Sequence, residues 1–412
     1  MFLYNLLIYG YGFVIRLSAI RNIKAKQWVM GRQRWRLHLA DKMKTLAPGE
    51  RIWVHCASYG EFEQGRPLME AIKTSHPDTK IILTFFSPSG YEPFKNWNGA
   101  DVVCYLPLDT PKNARDFIKL VNPHTALFIK YEFWINFLFE LRDQSIRTFL
   151  VSAVFKSHHP FFKWYGGIFR RSLKTFHRLF IQDQHSSELL KSIGIQNDEV
   201  CGDTRIDRVL EIKEQFKPLP FFERFCSGHR VWVAGSTWPG DEELVISTYK
   251  KLNLSDLKLI IAPHNVDEKY IVNLTQLLAK NDLSYSLYSA QSDDVSQQVL
   301  IVDTIGLLSK LYYYADVAYI GGGFNSGIHN CLEPAVYLKP VVFYEHGYGK
   351  YNEVVDLVKL QAAKSVSGTA ELAEAFLSFL NHPDPDLKHK LQGYFDKNSG
   401  VTKKVLQSIY AS

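Results

Sequence analysis

The chain has few cysteines for its length, and none of them forms a paired motif. Cys56, Cys104, Cys201, Cys226 and Cys331 are scattered over 412 residues, with no Cys-x-x-Cys spacing. This pattern excludes a disulfide framework and a zinc site of the usual ligand spacing. We therefore expect free thiols in a reducing compartment and no structural zinc.

Two common phosphate-binding signatures are also absent. No Gly-x-Gly-x-x-Gly opens a predicted helix, and no glycine loop ends in Gly-Lys-Ser/Thr. The sequence therefore predicts neither that dinucleotide fingerprint nor a P-loop. The formal net charge of +6 is modest for this length, so charge alone does not indicate a nucleic-acid partner.

The pattern at the N-terminus predicts neither a signal peptide nor an uninterrupted membrane span. Residues 2–15 are apolar and aromatic, the basic residues follow them, and Asn5 and Arg16 interrupt the run. In a signal peptide the charges come first, and a span needs about 20 apolar residues. Tyrosines and cations beside aliphatic residues favour a segment lying at a membrane surface. A single span and a core helix are the alternatives.

The rest of the chain alternates between strands and helices. In the first half we predict helices at 65–74 and 112–121, and strands at 51–56, 80–85, 101–106, 125–128, 148–153 and 179–182. In the second half we predict a helix from Leu244, a helix at 307–314, and strands at 230–234, 257–262, 298–302 and 317–320. This doubly wound pattern predicts an α/β protein with two Rossmann-like domains facing a cleft.

One stretch combines a strand, a glycine loop and the start of a helix. The strand at 317–320 runs into Gly321, Gly322 and Gly323, and Asn330 is predicted to cap a helix with Glu333 three residues on. Free N–H groups and a helix dipole aimed at one point suit a phosphate. Alternatively, the loop only joins the strand to the helix and Glu333 only caps it.

Carboxylates follow two of the predicted strands. Ligands of doubly wound sheets bind at the carboxyl ends of strands, so Glu61 lies where a catalytic carboxylate is expected. Alternatively, Glu61 or Glu63 only interacts favourably with the dipole of the helix that follows. Glu132 lies among aromatic residues, so it is either exposed, paired with Lys130, or functional.

A basic, aromatic segment at 156–171 contains no acidic residue and suits either a membrane surface or a solvated helix face.

Seven motifs occur in order along the chain. They are Ser58-Tyr59-Gly60-Glu61, Ser87-Pro88-Ser89-Gly90, Glu132-Phe133-Trp134-Ile135-Asn136, Gly202-Asp203-Thr204-Arg205-Ile206-Asp207, Gly235-Ser236-Thr237, Asp303-Thr304-Ile305-Gly306, and Gly321 to Pro334. Together they resemble the motifs of the bacterial 3-deoxy-D-manno-octulosonate (Kdo) transferases. The resemblance covers nearly the whole chain. It implies a GT-B glycosyltransferase that moves Kdo from CMP-Kdo to the lipid A precursor (lipid IVA) in lipopolysaccharide core biosynthesis.

The resemblance also implies a domain organisation and a location. We predict a membrane-associated anchor at 1–36, an acceptor domain at 37–214, a linker at 215–229, a CMP-Kdo-binding domain at 230–395 and a C-terminal helix at 396–412. The protein is expected on the cytoplasmic face of the inner membrane. The resemblance also implies that no bound metal or other cofactor is needed, and no nucleic acid is expected as a partner.

The same resemblance assigns roles to particular residues. Glu61 would be the general base of an inverting displacement, while Glu132 and Arg205 would position Kdo or the acceptor. The donor and its phosphate would be held by Gly235, Ser236, Thr237, Pro263, His264, Gly327, His329, Asn330 and Glu333.

The chain departs from the family's pattern at three places. Pro263 is followed by His264 and Asn265 where the family has Pro-Arg-His, Arg205 replaces a lysine, and Val154-Phe155-Lys156 lacks the usual arginine. Arginine and lysine differ in geometry although both are cations, so these departures concern donor contacts and acceptor choice. The alternatives are a GT-B transferase using a UDP- or GDP-sugar and a non-catalytic lipid-binding relative.

Overall fold

A computed structural model describes residues 1–290, 294–324 and 327–411, which form two compact units. The first unit consists of Met1–Arg208 together with Asn398–Ser412, and the second of Val209–Lys397. The domain boundaries given above stay predictions. The α/β class with two Rossmann-like parts is confirmed, because each unit has its own seven-stranded parallel sheet.

The sheet of the first unit has the strand order β3-β2-β1-β4-β5-β6-β7. Its strands are β1 (Arg51–Cys56), β2 (Lys80–Phe85), β3 (Val102–Tyr105), β4 (Thr125–Ile129), β5 (Arg147–Ala153), β6 (Arg178–Ile181) and β7 (Asp198–Val200). The chain moves outward in one direction from β1 to β3 and in the other from β4 to β7. The order therefore reverses between β1 and β4, which is where ligands of such sheets bind.

The helices of this part of the chain follow the strands closely. They are α1 (Phe2–Ser18), α2 (Ile23–Met30), α3 (Trp35–Lys44), α4 (Tyr59–Ser75), α5 (Pro88–Phe94), α6 (Pro111–Val121), α7 (Ile135–Asp143), α8 (Gly167–Leu173), α9 (Gln184–Ser192) and α10 (Thr204–Glu214). The prediction that a helix begins at 65 was wrong by six residues, because the Ser58–Glu61 capping pair lets α4 begin at Tyr59. Glu61 therefore lies in a first helical turn and not in a loop.

The core of the first unit consists of two apolar layers, one on each face of the sheet. Along β1, Ile52 and Val54 pack into one layer, whereas Trp53 packs into the other. This alternation follows from the two-residue period of a strand. Since both faces are covered, β1 and β4 are buried almost throughout, as is typical of parallel sheets.

The N-terminal helices pack on the first unit through a small number of specific contacts. The Tyr4 hydroxyl donates to Asp109 Oδ2 at 2.5 Å, and Arg32 Nη2 donates to the Phe86 carbonyl at 2.8 Å. The opposite face of α1 is exposed, with Phe2, Leu6 and Phe13 each more than half accessible. Among the described residues, no helix combines the length and the apolarity needed to cross a membrane.

The second unit repeats the arrangement with the strand order β10-β11-β9-β8-β12-β13-β14. Its strands are β8 (Arg230–Thr237), β9 (Leu257–Pro263), β10 (Tyr285–Leu287), β11 (Val299–Ile301), β12 (Val317–Ile320), β13 (Val341–Tyr344) and β14 (Ala363–Val366). The order reverses between β8 and β12, in the middle of the sheet. This reversal marks the expected ligand end of the second sheet.

The helices of the second part include one inside the predicted linker. They are α11 (Pro220–Cys226), α12 (Pro239–Leu252), α13 (Glu268–Lys280), α14 (Leu308–Leu311), α15 (Leu332–Ala335), α16 (Asn352–Lys359), α17 (Thr369–Asn381) and α18 (Leu387–Asn398). In α11, Phe222 and Phe225 are fully buried, so the segment packs as a helix. The helix predicted to begin at Leu244 begins at Pro239, since proline suits a first helical position.

The C-terminal helix α19 (Val401–Tyr410) returns to the first unit. Asp207 accepts hydrogen bonds from the N–H groups of Gly400 at 2.7 Å and Thr402 at 2.6 Å. The apolar residues Val401, Val405 and Ile409 complete one core layer of this unit. The end of the chain is therefore part of the first unit's fold.

Candidate active site

Glu61 lies at the carboxyl end of β1, in the first turn of α4. Its Oε2 accepts hydrogen bonds from the Ser58 N–H at 3.1 Å and from the Ser58 hydroxyl. Its Oε1 has no hydrogen-bond partner among the residues that the structure describes. One oxygen therefore fixes the carboxylate, and the other is available to a ligand. The capping and catalytic interpretations of Glu61 are compatible.

Glu132 lies at the carboxyl end of the adjacent strand, β4. Its Oε2 accepts a hydrogen bond from Trp134 Nε1 at 2.6 Å and lies 3.1 Å from His55 Nε2. Pairing with Lys130 was one of three alternatives that the sequence left open for Glu132, and these contacts are instead with a histidine and a tryptophan. Lys130 has a φ of +66°, a strained value for a residue other than glycine. Such strain is common at functional sites.

His55 has a defined orientation in the buried part of this network. Its Nδ1 lies 2.8 Å from Thr84 Oγ1, which itself accepts from Trp53 Nε1 at 2.8 Å. The Thr84 hydroxyl can donate to Nδ1 or to the Val54 carbonyl at 3.4 Å, and His55 Nε2 also lies 2.9 Å from Trp134 Nε1. The ring proton lies on Nε2, facing Glu132, when Thr84 donates to Nδ1. The His55 side chain is fully buried, whereas that of Glu132 is 12% exposed. One oxygen of the Glu132 carboxylate is therefore held by His55 and Trp134, while part of the side chain remains accessible.

Both carboxylates act electrostatically on one thiol. Burial raises the pKa of Cys56 well above its ordinary value, and the charges of Glu61 and Glu132 raise it further. Glu61 lies in the first turn of the helix that follows β1, and Glu132 contacts His55, the neighbour of Cys56 in β1. The structure therefore brings the two predicted carboxylates to the same region of the first unit.

Arg205 is held in place by an acidic neighbour. Its Nε and Nη2 donate to Asp203 Oδ2 at 3.0 and 2.7 Å. Burial raises the pKa of Asp203, but the charge and hydrogen bonds of Arg205 outweigh it, so that this pKa is lowered. Asp203 also accepts from Gln64 Nε2 at 3.0 Å, which connects Arg205 to α4, the helix that carries Glu61.

In the second unit, the predicted donor residues converge at the ends of β8, β9 and β12. The Gly321 N–H donates to the Gly235 carbonyl at 2.9 Å, and the His264 N–H donates to the Thr237 carbonyl at 2.9 Å. A Cβ on Gly321 would lie 2.4 Å from the Ser236 carbonyl oxygen. Only glycine permits this approach. Asn325 and Ser326 of the glycine motif lie outside the described residues.

The Gly235-Ser236-Thr237 turn contains a strained residue and a buried hydroxyl. Ser236 has a φ of +54°, and the pairing of β8 with β9 shifts its register here, as at a β-bulge. Thr237 Oγ1 donates to Glu242 Oε1 at 2.9 Å. Burial raises the pKa of Glu242 to about 7. Thr237 is therefore buried and bonded within the unit, whereas Ser236 is half-buried at the end of β8.

Three aromatic rings stack beside this turn. Trp238 stacks on His264 with ring centroids 4.6 Å apart, and His264 stacks on His329 at 4.7 Å. Trp238 Nε1 donates to His329 Nε2 at 3.3 Å. Burial, together with the charge of His264, lowers the pKa of His329 to about 4, so His329 is neutral at pH 7 and can accept this bond. His264 is the exposed member of the stack.

The segment from Gly327 to Glu333 differs in detail from its prediction. Helix α15 is a single turn that begins at Leu332, so the predicted N-cap at Asn330 was one residue early. Asn330 Oδ1 nevertheless accepts from the Leu332 N–H at 3.1 Å, and Asn330 Nδ2 donates to Glu333 Oε1 at 3.3 Å. The side chains of Asn330 and Glu333 therefore hold each other.

Not every N–H group of this segment can reach a ligand. Those of Gly327 and His329 donate to the carbonyls of Gly322 and Gly321 at 3.0 and 3.2 Å. Those of Ile328 and Asn330 have no acceptor among the described residues. Within the same limits, no cluster of three His, Cys, Asp or Glu side chains is arranged to hold a metal ion.

Sequence reasoning missed three residues that shape these regions. His55 and Trp238 hold predicted site residues, and Asp241 accepts from the Gly322 N–H at 2.9 Å. A histidine in an apolar strand was a usable signal for His55, because a buried imidazole needs partners. Trp238 and Asp241 gave no comparable signal, since an aromatic residue before a proline and an acid in a first helical turn are common.

Comparison with known proteins identifies the family of the first unit. Residues 31–208 match the family model described as 3-Deoxy-D-manno-octulosonic-acid transferase (kdotransferase). A 3-deoxy-D-manno-octulosonic acid transferase of Haemophilus influenzae is 26% identical over 398 residues, covering 91% of each chain. One of Aquifex aeolicus is 28% identical, covering 76% of this chain and 80% of its own.

A third relative is longer than this chain. A bifunctional glycosyltransferase/methyltransferase of Fusobacterium nucleatum is 26% identical over 383 residues, covering 90% of this chain but 58% of its own length. This chain thus spans somewhat more than half of that protein.

Two solved structures share the fold. UDP-GlcNAc 2-epimerase of Neisseria meningitidis, bound to UDP-GlcNAc, has a TM-score of 0.58 at 13% identity and covers 88% of this chain and all of its own. The enzyme of Methanocaldococcus jannaschii has a TM-score of 0.53 at 14% identity, covering 85% of this chain and all of its own.

The chain is a glycosyltransferase: residues 31–208 belong to the 3-deoxy-D-manno-octulosonic-acid transferase family, and most of its length is related to these transferases.

Proposed function

We propose that the protein transfers Kdo from CMP-Kdo to the lipid A precursor, with inversion at the anomeric carbon, in lipopolysaccharide core biosynthesis. The relatedness to Kdo transferases over 91% of the chain supports the sugar. The observation that carries the chemistry is Glu61, a carboxylate fixed through Oε2 and open at Oε1. A fixed carboxylate with one free oxygen suits a general base.

In the proposed reaction, Glu61 Oε1 takes the proton of the acceptor hydroxyl. The oxygen of the acceptor hydroxyl forms a bond to the anomeric carbon of Kdo as the bond from this carbon to the CMP phosphate oxygen breaks. The electron pair of the breaking bond leaves with CMP. A single displacement of this kind inverts the anomeric centre and needs one base, so no covalent enzyme intermediate is required.

The leaving phosphate would be stabilised by the second unit. Ser236, beside Gly235 and Thr237, contributes a hydroxyl, and the N–H groups of Ile328 and Asn330 contribute donors. Donors fixed before the reaction stabilise developing charge effectively. His264, after Pro263, takes the place of the family's arginine near the donor, and its stack on His329 supports a contact with the nucleotide. Glu333 would hold the ribose hydroxyls.

Glu132 and Arg205 would position Kdo or the acceptor. Glu132 combines a held oxygen with an exposed side. Arg205 is paired with Asp203, so its charge is partly neutralised and its role is one of orientation.

We further propose that no metal ion takes part, because hydroxyls, N–H groups and His264 would stabilise the phosphate charge. Undiminished transfer after treatment with a chelator is the expected result, and loss restored by a divalent cation would contradict it.

The acceptor would be reached at the membrane surface. The exposed apolar face of α1 and the basic residues that follow it support attachment to the cytoplasmic face of the inner membrane. Removing residues before Ile20 should weaken vesicle binding more than transfer to a detergent-dispersed acceptor. Equal loss of both would show that α1 serves the fold, to which Tyr4 connects it.

The test of the donor is a direct comparison. The purified protein is incubated with a tetra-acylated lipid A precursor and CMP-Kdo, or with UDP- and GDP-sugars, and the products are identified by mass spectrometry. We expect a mass increase of one or more Kdo units with CMP-Kdo alone. Turnover only with a UDP- or GDP-sugar would reject Kdo transfer. Binding of the acceptor without turnover of any donor would favour a lipid-binding relative.

A further inference from the structure

A cavity in the first unit lies beside the N-terminal helices, and Glu61 is not among its lining residues. It has a volume of about 860 Å³ and is bounded by α1, α2, the start of α3 and residues 107–113. Five of its lining residues are basic and none is acidic; the basic ones are Arg16, Arg32, Arg34, Arg36 and Lys112. A cavity with cations and no lining carboxylate attracts an anion.

Two of these cations already have protein partners. Arg36 pairs with Asp116 at 2.7 Å. Arg32 donates to the carbonyls of Leu106, Phe86 and Trp28 and stacks on the Trp28 ring at 3.8 Å. Arg32 therefore holds the walls of the cavity together.

The other three cations make no such contact with the described residues. Arg16, Arg34 and Lys112 are exposed, and none has a hydrogen-bond or ion-pair partner among the described residues. Each comes from a different segment: the end of α1, the turn before α3 and the start of α6. Three unpaired cations from three segments on one cavity provide the donors that a phosphate group needs.

The walls and surroundings of the cavity are those of a lipid site. Tyr9, Trp28, Trp35, Leu37 and Leu108 contribute apolar surface. Next to it, α1 exposes Phe13 to 60% and Leu17 to 54%. The position of α1 is fixed closely, since a Cβ on Gly12 would lie 2.7 Å from Leu108 Cδ2. A soluble phosphate ion would make no contact with this adjacent apolar face, whereas the acyl chains of a lipid would.

We propose that this cavity binds the phosphomonoester head group of a membrane lipid. The phosphate contacts Arg16, Arg34 and Lys112, and the acyl chains lie along the exposed face of α1. The site selects a head group, which distinguishes it from general adsorption to an anionic surface. The inference goes beyond the proposed transfer, because it does not depend on which sugar is moved.

The experiment compares two charge-matched triple variants of the full chain. R16Q/R34Q/K112Q removes the unpaired cations of the cavity. R21Q/K24Q/K26Q removes three exposed cations of the same N-terminal region that do not line it. Sedimentation with vesicles of phosphatidylcholine containing either phosphatidic acid, a phosphomonoester, or phosphatidylglycerol, a phosphodiester, is measured at matched surface charge. Thermal unfolding verifies that both variants are folded.

We expect wild-type protein to prefer phosphatidic acid by about tenfold or more, as hydrogen bonds to a charged group would give. The cavity variant should lose that preference. The control variant should weaken binding to both lipids alike, by about fivefold for each cation, and keep the preference. Equal behaviour of the two variants, or no preference in the wild type, would overturn the proposal.

A cavity-filling variant tests the site without changing its charge. Gln33 lines the cavity and is exposed, so Gln33→Trp should abolish the preference while leaving adsorption to phosphatidylglycerol intact. An unchanged preference would also overturn the proposal. Vesicles carrying the lipid A precursor form a third arm, and a stronger preference there than for phosphatidic acid would identify the acceptor as the source of the phosphate. None of these measurements uses turnover, so failure of the transfer reaction would leave them unaffected.

Discussion

The two units place an acidic residue at the same position of their first strand-to-helix connection and use it differently. Glu61 follows β1 and accepts from the Ser58 N–H, and Asp241 follows β8 and accepts from the Trp238 N–H. Both close the start of a helix. Glu61 is partly exposed with Oε1 open, whereas Asp241 is fully buried.

The two oxygens of Asp241 are engaged by the protein. Oδ1 accepts from the Tyr319 hydroxyl at 2.8 Å, and Oδ2 accepts from the N–H groups of Trp238 and Gly322. Asp241 therefore supports the glycine loop, while Glu61 leaves one oxygen for chemistry. The same local motif becomes structural or reactive according to whether its second oxygen has a partner.

The largest expected effect is that of Glu61→Gln on transfer. Glutamine can still close the capping box but cannot take a proton, so we expect kcat to fall about 10²- to 10⁴-fold with little change in thermal unfolding. Glu61→Ala should lose the same activity and about 1 kcal/mol of stability as well. Retained transfer by Glu61→Gln, measured with CMP-Kdo and a dispersed acceptor, would remove Glu61 from the mechanism.

Asp241→Ala should reverse this pattern. Two N–H groups and a buried hydroxyl would lose their acceptor, at about 1–3 kcal/mol each, so we expect stability to fall by at least about 3 kcal/mol. Urea unfolding is the measurement. If Asp241→Ala were as stable as Glu61→Ala, the structural role of the buried carboxylate would be wrong.

The second unit should also show a pH dependence that arises from Glu242. Burial raises the pKa of this carboxyl from 4.5 to about 7, so between these values the folded state holds the proton more tightly than the unfolded state. The contribution of Glu242 to the free energy of unfolding is therefore fully present below about pH 4.5. This contribution, roughly 3 kcal/mol in total, is lost as the pH rises through about 7.

Glu242→Gln should remove this slope, and Glu243→Gln should retain it. Glu243 is the matched control because it is adjacent in sequence but exposed. Urea unfolding across the same pH range tests both variants. A slope that persists in Glu242→Gln would assign the titration to another group.

Replacing Gly321 or Gly60 by alanine should show how differently crowded the backbone is at these two positions. A Cβ on Gly321 would lie 2.4 Å from a carbonyl oxygen, whereas a Cβ on Gly60 would lie no closer than 4.0 Å to its nearest neighbour. We expect Gly321→Ala to cost about 1–3 kcal/mol and to weaken binding of CMP, measured by calorimetry. Gly60→Ala should be tolerated or slightly stabilising, and an equal cost at both positions would contradict this comparison.

The sequence predicted the fold well because hydrophobic period and strand length specify it locally. The limits of β1 and β12 were predicted to the residue, since a buried strand is a continuous apolar run. Helix starts were less accurate at α4 and α12, because a capping carboxylate extends a helix into what a sequence pattern shows only as a polar turn.

The site was predictable as positions but not as contacts. Glu61 and Glu132 follow neighbouring strands, so topology alone brings them near each other. The partner of Glu132 could not be predicted, because His55 is 77 residues away in sequence and reaches it only through the pairing of β1 with β4. Nor could the N–H bonds of Gly327 and His329 be foreseen, since they depend on how the glycine loop folds back on itself.

The smallest expected effect concerns that distant histidine. His55→Asn removes the ring nitrogen that contacts Glu132, but Glu132 keeps the bond from Trp134 Nε1, so we expect only roughly a tenfold loss in kcat, equivalent to about 1.4 kcal/mol. Trp53→Phe is the control: it deletes the indole N–H at the far end of the network and should cost stability without this loss of rate. A positioning role predicts that Km for CMP-Kdo is unchanged in His55→Asn, whereas a purely structural role predicts equal rate losses in the two variants at equal losses of stability.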